Sequence, residues 1–114
     1  MANRHRGEVE AVIDGVPRRL CLTLGALADL EQAFGVEDML ALAQRFGSGR
    51  IAARDAIRVL GAGLRSGGYQ VDDLAVAGML IAGGAVGAIE IVAQLLAATF
   101  GGTEPDDPST PGNG

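Results

Sequence analysis

The sequence has 114 residues, the length of one modest globular domain. It is 48% hydrophobic, mostly through Ala, Leu, Val and Ile, with one Tyr and no Trp, which argues against the stacking aromatic surface of a single-strand nucleic-acid binder. The formal net charge is −5, and residues 66–114 hold six acidic residues and no basic one, so phosphate-backbone binding, which needs a positive excess, is disfavoured.

The single cysteine and the N-terminus indicate the compartment. Cys21 cannot form an internal disulfide, which fits a reducing compartment, and its place in a predicted strand indicates a buried thiol. Residues 1–6 contain basic side chains with no apolar run after them, so no signal peptide is predicted. We expect a cytoplasmic protein whose residues 1–6 are disordered.

The first predicted element is an antiparallel β-hairpin. Residues 7–14 and residues 17–24 each alternate apolar with polar side chains, which is the period of a half-buried strand. Asp14 and Gly15 lie between them, and Asp-Gly is a strong hairpin signal because Gly accepts the positive φ that the turn needs. Two strands alone are marginally stable in water, so we expect the hairpin to rest its apolar face on helices.

Three helices are predicted after the hairpin. Thr23 suits the N-cap and Gly35 the C-cap of a helix over 24–34, where apolar residues take helical spacing. A second helix is predicted over 37–46, with acidic residues at its start and a basic residue in its last turn, both favourable to the helix dipole. A third helix is predicted over 51–64 and is ended by a Ser-Gly-Gly turn.

The C-terminal half is almost wholly apolar and predicts two further helices, over 73–82 and 85–99. Its uncharged run is sixteen residues long, short of the ~20 that a membrane span needs, and a longer span would bury Glu90. Gly83 and Gly87 have the spacing of a helix-dimer motif. A membrane span is disfavoured, and a buried helix pair or a helix face covered by a partner is the better interpretation.

Together these elements predict an α+β fold, in which an N-terminal β-hairpin packs on a small bundle of about four to five helices. We expect one domain over 7–100 and a disordered, acidic, Pro- and Gly-rich tail over 101–114. Apolar residues on the predicted inner faces form the expected core: Val9, Ile13, Leu20, Leu22, Leu27, Leu30, Phe34, Leu40, Ile57, Leu60, Leu64, Ile89, Val92 and Leu96.

No catalytic centre is predicted. His5 is the only histidine, and no spacing of His or Cys residues suits a metal ion. Asp72 and Asp73 lie at a predicted helix start, where acidic residues are common. The glycine turns at 47–50 and 66–68 lack the Lys-Ser/Thr pair and the preceding strand of a P-loop. The sequence therefore favours a protein that is not an enzyme and that holds no cofactor and no metal.

A row of arginines is the one polar feature with helical regularity. Arg50, Arg54 and Arg58 are spaced four residues apart, which places them on one helix face. They form either a solvated face paired with nearby acids such as Asp55, or a docking face for an acidic partner segment. That segment could belong to the chain's own tail around residues 106–107.

The N-terminal half resembles a family of short proteins from tailed phages and gene transfer agents, the phage-like particles by which some bacteria move DNA. The resemblance rests on the segment EVEAVIDGVPRRLCLTLGALADLEQAFGV, and the later segment ARDAIRVLGAGLR is similar to the family's middle helix. It covers about residues 7–100. The matching positions are structural: Asp14, Gly15, Arg19, Leu20, Leu22, Thr23, Leu24, Gly25, Ala26, Leu27, Ala28, Leu30 and Glu31.

The resemblance implies a role in building a phage-like tail. The family is commonly labelled a phage tail tube protein, and it also resembles the tail assembly chaperones, which hold the tape-measure protein while the tube polymerises around it. A tube-wall subunit needs several long strands, whereas this sequence predicts one hairpin. We therefore expect a tail assembly chaperone that binds the tape-measure protein, with a structural tail tube component as the alternative and a small membrane-associated helical protein as a further one.

The expected partners are the tape-measure protein or other tail proteins, with a homo-oligomer as a further possibility and no specific nucleic acid. We expect the protein in the cytoplasm of the producing bacterium, or alternatively in the tail of the particle. The partner-binding candidates are the arginine row and apolar residues of the C-terminal half: Arg50, Arg54, Arg58, Met79, Leu80, Ile89, Leu95 and Leu96.

Overall fold

The structure is a computed structural model that describes residues 7–46 and 51–100. It has an N-terminal antiparallel hairpin followed by five helices in these ranges, so the predicted α+β fold is confirmed. The elements are β1 (Glu8–Ile13), β2 (Val16–Cys21), α1 (Leu24–Phe34), α2 (Met39–Arg45), α3 (Ala53–Ser66), α4 (Asp73–Ala77) and α5 (Gly84–Phe100).

The hairpin has the predicted turn and the predicted inner face. Asp14 and Gly15 have φ values of 55° and 78°, the double positive φ of a tight turn that matches strand twist. Val9, Ala11 and Ile13 of β1 are buried, while the residues between them are exposed. The hairpin therefore lays one face on the helices, as its period of two requires.

The first two helices both begin at a side-chain cap, but only the first begins where the sequence predicted. The hydroxyl of Thr23 accepts from the backbone N–H of Ala26 at 3.1 Å, and Gly35 closes α1 in the left-handed conformation, so both predicted caps are confirmed. The second helix begins at Met39 rather than at residue 37, because Asp38 caps it by accepting from the N–H of Ala41 at 2.8 Å.

A short segment after α4 pairs with the tip of the hairpin. The N–H of Asp14 donates to the carbonyl of Leu80 at 2.7 Å, and the N–H of Ala82 donates to the carbonyl of Val12 at 3.1 Å. The carboxylate of Asp14 also accepts from the N–H of Leu80 at 2.8 Å. These three bonds attach residues 79–82 to the outer edge of β1.

The predicted helix over 73–82 is therefore wrong in its second half. The helix α4 is capped by Asp72 and ends at Ala77 with Gly78 as its C-cap, and Ile81 then forms an isolated antiparallel bridge with Ile13. Backbone groups that a longer helix would have satisfied internally are used instead by the hairpin.

One hydrophobic cluster joins the hairpin to the helices. The predicted core residues that are buried are Val9, Ile13, Leu20, Leu27, Leu30, Leu60, Leu64, Val92 and Leu96, while Leu22, Phe34 and Ile57 are half-buried against the cluster. The buried residues that the sequence did not predict include Leu42, Phe46, Val59, Val76, Ile91 and Leu95. That the chain forms a single domain over 7–100 stays a prediction.

Two predicted core residues lie on the surface. Leu40 is 67% exposed and Ile89 is 37% exposed. In α2 the inward face is set by Leu42, and a residue two positions away on a helix points to the opposite side. In α5 the inward face is set by residues 91, 92, 95 and 96, which turns Ile89 outward.

Leu30 tests the inner face of α1. It is buried in the core, so replacing it with alanine is expected to lower the free energy of unfolding by about 2–5 kcal/mol. Urea unfolding followed by circular dichroism measures this. The exposed neighbour Gln32 gives a matched control, whose alanine variant is expected to change stability by less than about 0.5 kcal/mol. A similar small change for both variants would contradict the assigned face.

Several sequence predictions fall outside the described residues: the disordered ends over 1–6 and 101–114, and the turn over 47–50. Within residues 7–46 and 51–100, no helix combines the length and the apolar character that crossing a membrane demands.

Candidate partner-binding surface

The side of α5 that points away from the core is mostly apolar. Ala85, Val86, Ile89, Ala93 and Ala97 are all exposed, and we call them the α5 outer face. Their spacing follows the helical period, so they lie along one side of the helix. A helix that is apolar on both its inner and outer sides is normally covered on both.

The α5 outer face has few polar groups to interrupt it. Val86 is 65% exposed, and Glu90 is the one charged residue between Gly84 and Phe100. Glu90 and Gln94 are exposed beside the apolar residues. Small side chains at three of the five positions would let another helix approach closely.

Leu80 and Met79 lie at the hairpin end of α5. Leu80 is 77% exposed, whereas Met79 is half-buried against the core. The segment that carries them is bonded to the tip of β1, where Val12 is also exposed. The structure thus places exposed apolar side chains at the end of the molecule where α5 begins.

Leu95 and Leu96 take part in the core. Leu95 is fully buried and Leu96 is nearly so. Their side chains pack inside the chain and leave no surface for a partner, so we do not retain them as binding residues.

Gly87 serves a close contact inside the chain. A Cβ added there would fall on the carbonyl oxygen of Ala82, so only glycine lets the first turn of α5 lie against the segment before it. A Cβ on Gly83 would lie 3.1 Å from the Cα of Gly87. The Gly83–Gly87 spacing, which resembles a helix-dimer motif, is therefore accounted for by this intramolecular turn.

The arginine row is partly engaged by the chain itself. Arg54 and Arg58 are exposed on α3, and Arg58 approaches a carboxylate oxygen of Asp73 at 3.7 Å. Arg50 lies outside the described residues. The row therefore does not form a uniformly available basic face, because Arg58 helps to hold α4 on α3.

Arg65 was missing from the sequence-based candidates and lies closer to Asp73 than Arg58 does. Its guanidinium donates to the carbonyl of Val71 at 3.0 Å and to the carboxylate of Asp73 at 3.1 Å. Asp73 is thus shared by two arginines of α3, which fixes the start of α4. Both arginines are about half exposed, so solvent screening keeps each pair weak.

Asp55 has a partner outside the arginine row. Its carboxylate lies 3.4 Å from the guanidinium of Arg45, which also stands 5.0 Å from the ring centre of Phe34 and 5.9 Å from that of Phe46. The two rings meet edge to face at 5.3 Å. This cluster joins α1, α2 and α3, and among the described arginines of the row neither Arg54 nor Arg58 forms an ion pair with Asp55.

Cys21 is half-buried on the outer side of the hairpin, where the sequence predicted a buried thiol. Partial burial raises the pKa of the thiol above its usual value, the carboxylate of Glu8 raises it further, and the guanidinium of Arg19 opposes both. The thiolate is the reactive form of cysteine, so these surroundings make Cys21 a slow nucleophile.

Alkylation of Cys21 should reflect this raised pKa. We expect the rate with iodoacetamide to rise with pH along a curve displaced to higher pH than that of the urea-unfolded chain, because the folded thiol holds its proton more firmly. Replacing Glu8 with glutamine removes one cause of the rise and should move the curve back toward lower pH. If the rate for the folded chain rises at the same pH as for the unfolded chain, or at a lower pH, the raised pKa of Cys21 is contradicted.

Among residues 7–46 and 51–100, no group of three or more His, Cys, Asp or Glu side chains is arranged to hold a metal ion. The polar side chains just described form contacts between elements, and the distinctive feature of the surface is the exposed apolar strip.

Comparison with protein-family models places the chain among the proteins of phage tails. The chain belongs to the family described as phage tail tube protein, GTA-gp10, whose model matches residues 6–102. The predicted resemblance to a gene transfer agent tail family is thereby confirmed. No curated protein and no solved structure matches the chain significantly. The chain is thus a phage-like tail protein, and its family is a structural one that implies contacts with other tail proteins.

Proposed function

We propose that the protein is a tail assembly chaperone that binds the tape-measure protein while the tail tube is assembled. The observation that carries this proposal is the α5 outer face, an exposed apolar strip on a helix whose other side is in the core. A long apolar surface of this kind is suited to covering an apolar helical segment of another protein.

The charge of the C-terminal half indicates which segments of the tape-measure protein would bind to it. The only charge on α5 is the acidic Glu90, and residues 66–114 hold no basic residue. A partner helix with an apolar stripe flanked by Lys or Arg would match both the apolar side chains and the negative charge. A second strongly acidic segment would be repelled.

The outer edge of β2 also supports a role as a chaperone over a role as a subunit of the tube wall. On the outer edge of β2, Pro17 has no N–H to offer. The N–H of Arg19 donates to the hydroxyl of Tyr69 at 3.4 Å, and its carbonyl oxygen faces Gly67. A wall built by continuing a sheet from subunit to subunit needs two open edges, and this edge is occupied.

A structural tail tube component is the second candidate, and the family description favours it. A structural subunit remains in the finished particle in multiples set by ring symmetry. A chaperone leaves before the particle is complete.

Quantitative mass spectrometry of purified particles, together with a pull-down of the tape-measure protein, separates the two. The chaperone role predicts binding to the tape-measure protein and absence from mature particles. Stoichiometric presence in the particle without that binding would establish the tube role instead.

Surface variants locate the binding site within the same pull-down. A variant in which both Leu80 and Ile89 are replaced with serine should reduce capture of the tape-measure protein at least ~10-fold, because apolar side chains buried in an interface carry much of the binding energy. Replacing the exposed Leu40 of α2 with serine makes the same chemical change elsewhere and should leave capture unchanged. Equal losses for both variants would contradict a site formed by the α5 outer face together with Leu80.

A further inference from the structure

The outer edge of β1 is covered only near the hairpin tip. The carbonyl of Val12 faces away from β2 and is bonded to Ala82. Backbone groups of alternate residues point to the same side of a strand, so the N–H and C=O groups of Glu8 and Glu10 also face outward. Within the part of the chain that the structure describes, no backbone hydrogen bond from outside the hairpin reaches Glu10. This stretch of edge can therefore accept a further strand.

The segment that covers the tip stops because the chain turns away after Ala82. Gly83 and Gly84 have φ values of 87° and 65°, which glycine adopts at little cost. The N–H of Gly84 donates to the carbonyl of Ile81 at 2.8 Å and closes the turn. The turn directs the chain into α5, so the covering segment leaves β1 before it reaches the level of Glu10.

The helix α5 runs beneath β1 from the hairpin tip toward the other end of the strand. Near the start of the helix, a Cβ built on Gly87 would lie 3.9 Å from a methyl carbon of Ile81. Two turns later Leu95 lies near Leu20, the residue opposite Val9 in the hairpin. An inward-facing residue of a strand added beside Val9 would therefore lie against α5, as Ile81 does nearer the tip.

The solvent side of the open edge is acidic. Glu10 is exposed and Glu8 is half-buried, and Arg19 approaches the carboxylate of Glu8 at 3.8 Å. A second copy of the chain paired over the same residues would set Glu10 against Glu8 or against Glu10. Like charges directly opposite each other are unfavourable, whereas opposite charges are favourable. The charges thus favour a different chain with basic residues over a second copy.

We propose that the β1 edge over residues 8–11 binds an extended segment of another protein, in which an apolar residue lies between two Lys or Arg residues. The segment runs antiparallel to β1, as the segment bridged at Ile81 does. Its basic residues lie opposite Glu8 and Glu10 and exchange backbone hydrogen bonds with them. The apolar residue between them points toward the helices and rests on α5. This is strand addition to the edge of a sheet.

A pair of N-methylated peptides tests the proposal on the unaltered chain. The probe is a short capped peptide in which two lysines have one valine between them and threonines on both sides. N-methylation of one lysine removes an N–H that would face β1. N-methylation of the central valine removes an N–H that would face solvent, so this peptide is the matched control. Titration of the isotope-labelled chain, followed by the NMR signals of the β1 amides, measures each affinity.

The plain peptide and the valine-methylated peptide should bind with similar affinity. Methylation of one lysine should weaken binding at least ~5-fold, because a backbone hydrogen bond is lost. The proposal is overturned if the β1 amides do not respond to the plain peptide at concentrations up to ~1 mM, the range of weak contacts. Equal weakening by the two methylations, or weakening by the valine methylation alone, would overturn it as well.

Charge reversal at Glu10 tests the charges of the site. The variant Glu10→Lys sets like charges across the added strand and should weaken binding of the lysine peptide at least ~3-fold. The variant Glu37→Lys makes the same change of net charge at an exposed residue before α2 and should leave binding unchanged. Equal losses would indicate non-specific attraction and overturn the proposal. Circular dichroism checks both folds, and should Glu10→Lys unfold, the methylated peptides decide on the unaltered chain.

The proposal goes beyond tape-measure binding and does not depend on it. The strand site uses the β1 edge, whereas the proposed chaperone site is the α5 outer face with Leu80. The variant with serine at Leu80 and Ile89 keeps residues 8–11 and should bind the lysine peptide as the unaltered chain does. A chain that captures no tape-measure protein can still bind the peptide, so the two assays report the two outcomes separately.

Discussion

Replacing Leu95 with alanine is expected to lower the free energy of unfolding by about 2–5 kcal/mol. Leu95 is fully buried in α5, and it reaches the place where three elements meet. A Cβ built on Gly63 of α3 would lie 2.8 Å from a methyl carbon of Leu95 and 3.2 Å from Leu20 of β2. Shortening Leu95 therefore opens a cavity at the junction of α3, α5 and the hairpin.

Leu80 provides the matched control for this experiment. It is the same residue type but mostly exposed, so its alanine variant should change stability by less than about 0.5 kcal/mol. Urea unfolding followed by circular dichroism measures both variants. Equal effects at the two positions would contradict the division of the C-terminal half into a core side and a binding side.

Local sequence signals account for the parts of the fold that were predicted correctly. The turn at Asp14 and Gly15, and the caps Thr23 and Gly35, each depend on residues within four positions of one another. Such contacts form between near neighbours in the chain whatever the rest of the molecule does. The hairpin and α1 could therefore be derived without knowledge of the tertiary structure.

The segment after α4 could not be derived in this way. Its helical pattern continues past Gly78, but the bonds that replace the helix come from Val12 and Asp14, more than sixty positions earlier. A tertiary contact thus overrides a local preference. Asp14 has two roles in the fold. Its backbone forms the hairpin turn, and its carboxylate accepts a hydrogen bond from the N–H of Leu80.

The candidate site was predicted only in part, for a related reason. Almost every residue of α5 is apolar, so hydrophobic periodicity gives little information about which side faces the core. Ile89 was assigned to both the core and the binding set and is exposed, whereas Leu95 was assigned to the binding set and is buried. Its orientation is determined by tertiary packing against α3 and the hairpin, of which the contact of Leu95 with Gly63 and Leu20 is one part.

The ion pairs show the same limit of sequence reasoning. Arg45 with Asp55, and Arg58 with Asp73, each join different helices. Helical spacing identifies charges that share one face of one helix, but it does not identify charges that meet across an interhelical contact. The arginine row was therefore visible in the sequence, while the pairing of Arg58 with Asp73 was not.

Replacing Gly67 with alanine is expected to lower the free energy of unfolding by roughly 1–3 kcal/mol, through crowding rather than through backbone strain. Gly67 caps α3 with a φ of −80°, which alanine adopts freely. An added Cβ, however, would fall on the carbonyl oxygen of Arg19 and lie 3.3 Å from that of Gly63. The end of α3 must then move away from the edge of β2.

The alanine variant of Gly78 is the control that separates this crowding from a general effect of replacing glycine. It also caps a helix with a negative φ, −95°, but an added Cβ would meet its nearest atom, the carbonyl oxygen of Ala75, at an ordinary 3.7 Å. Its alanine variant should be neutral or up to about 1 kcal/mol more stable, because alanine restricts the unfolded chain. Urea unfolding compares the two variants. Equal stability would mean that α3 does not lie against the β2 edge, and that edge would then be open to a further strand.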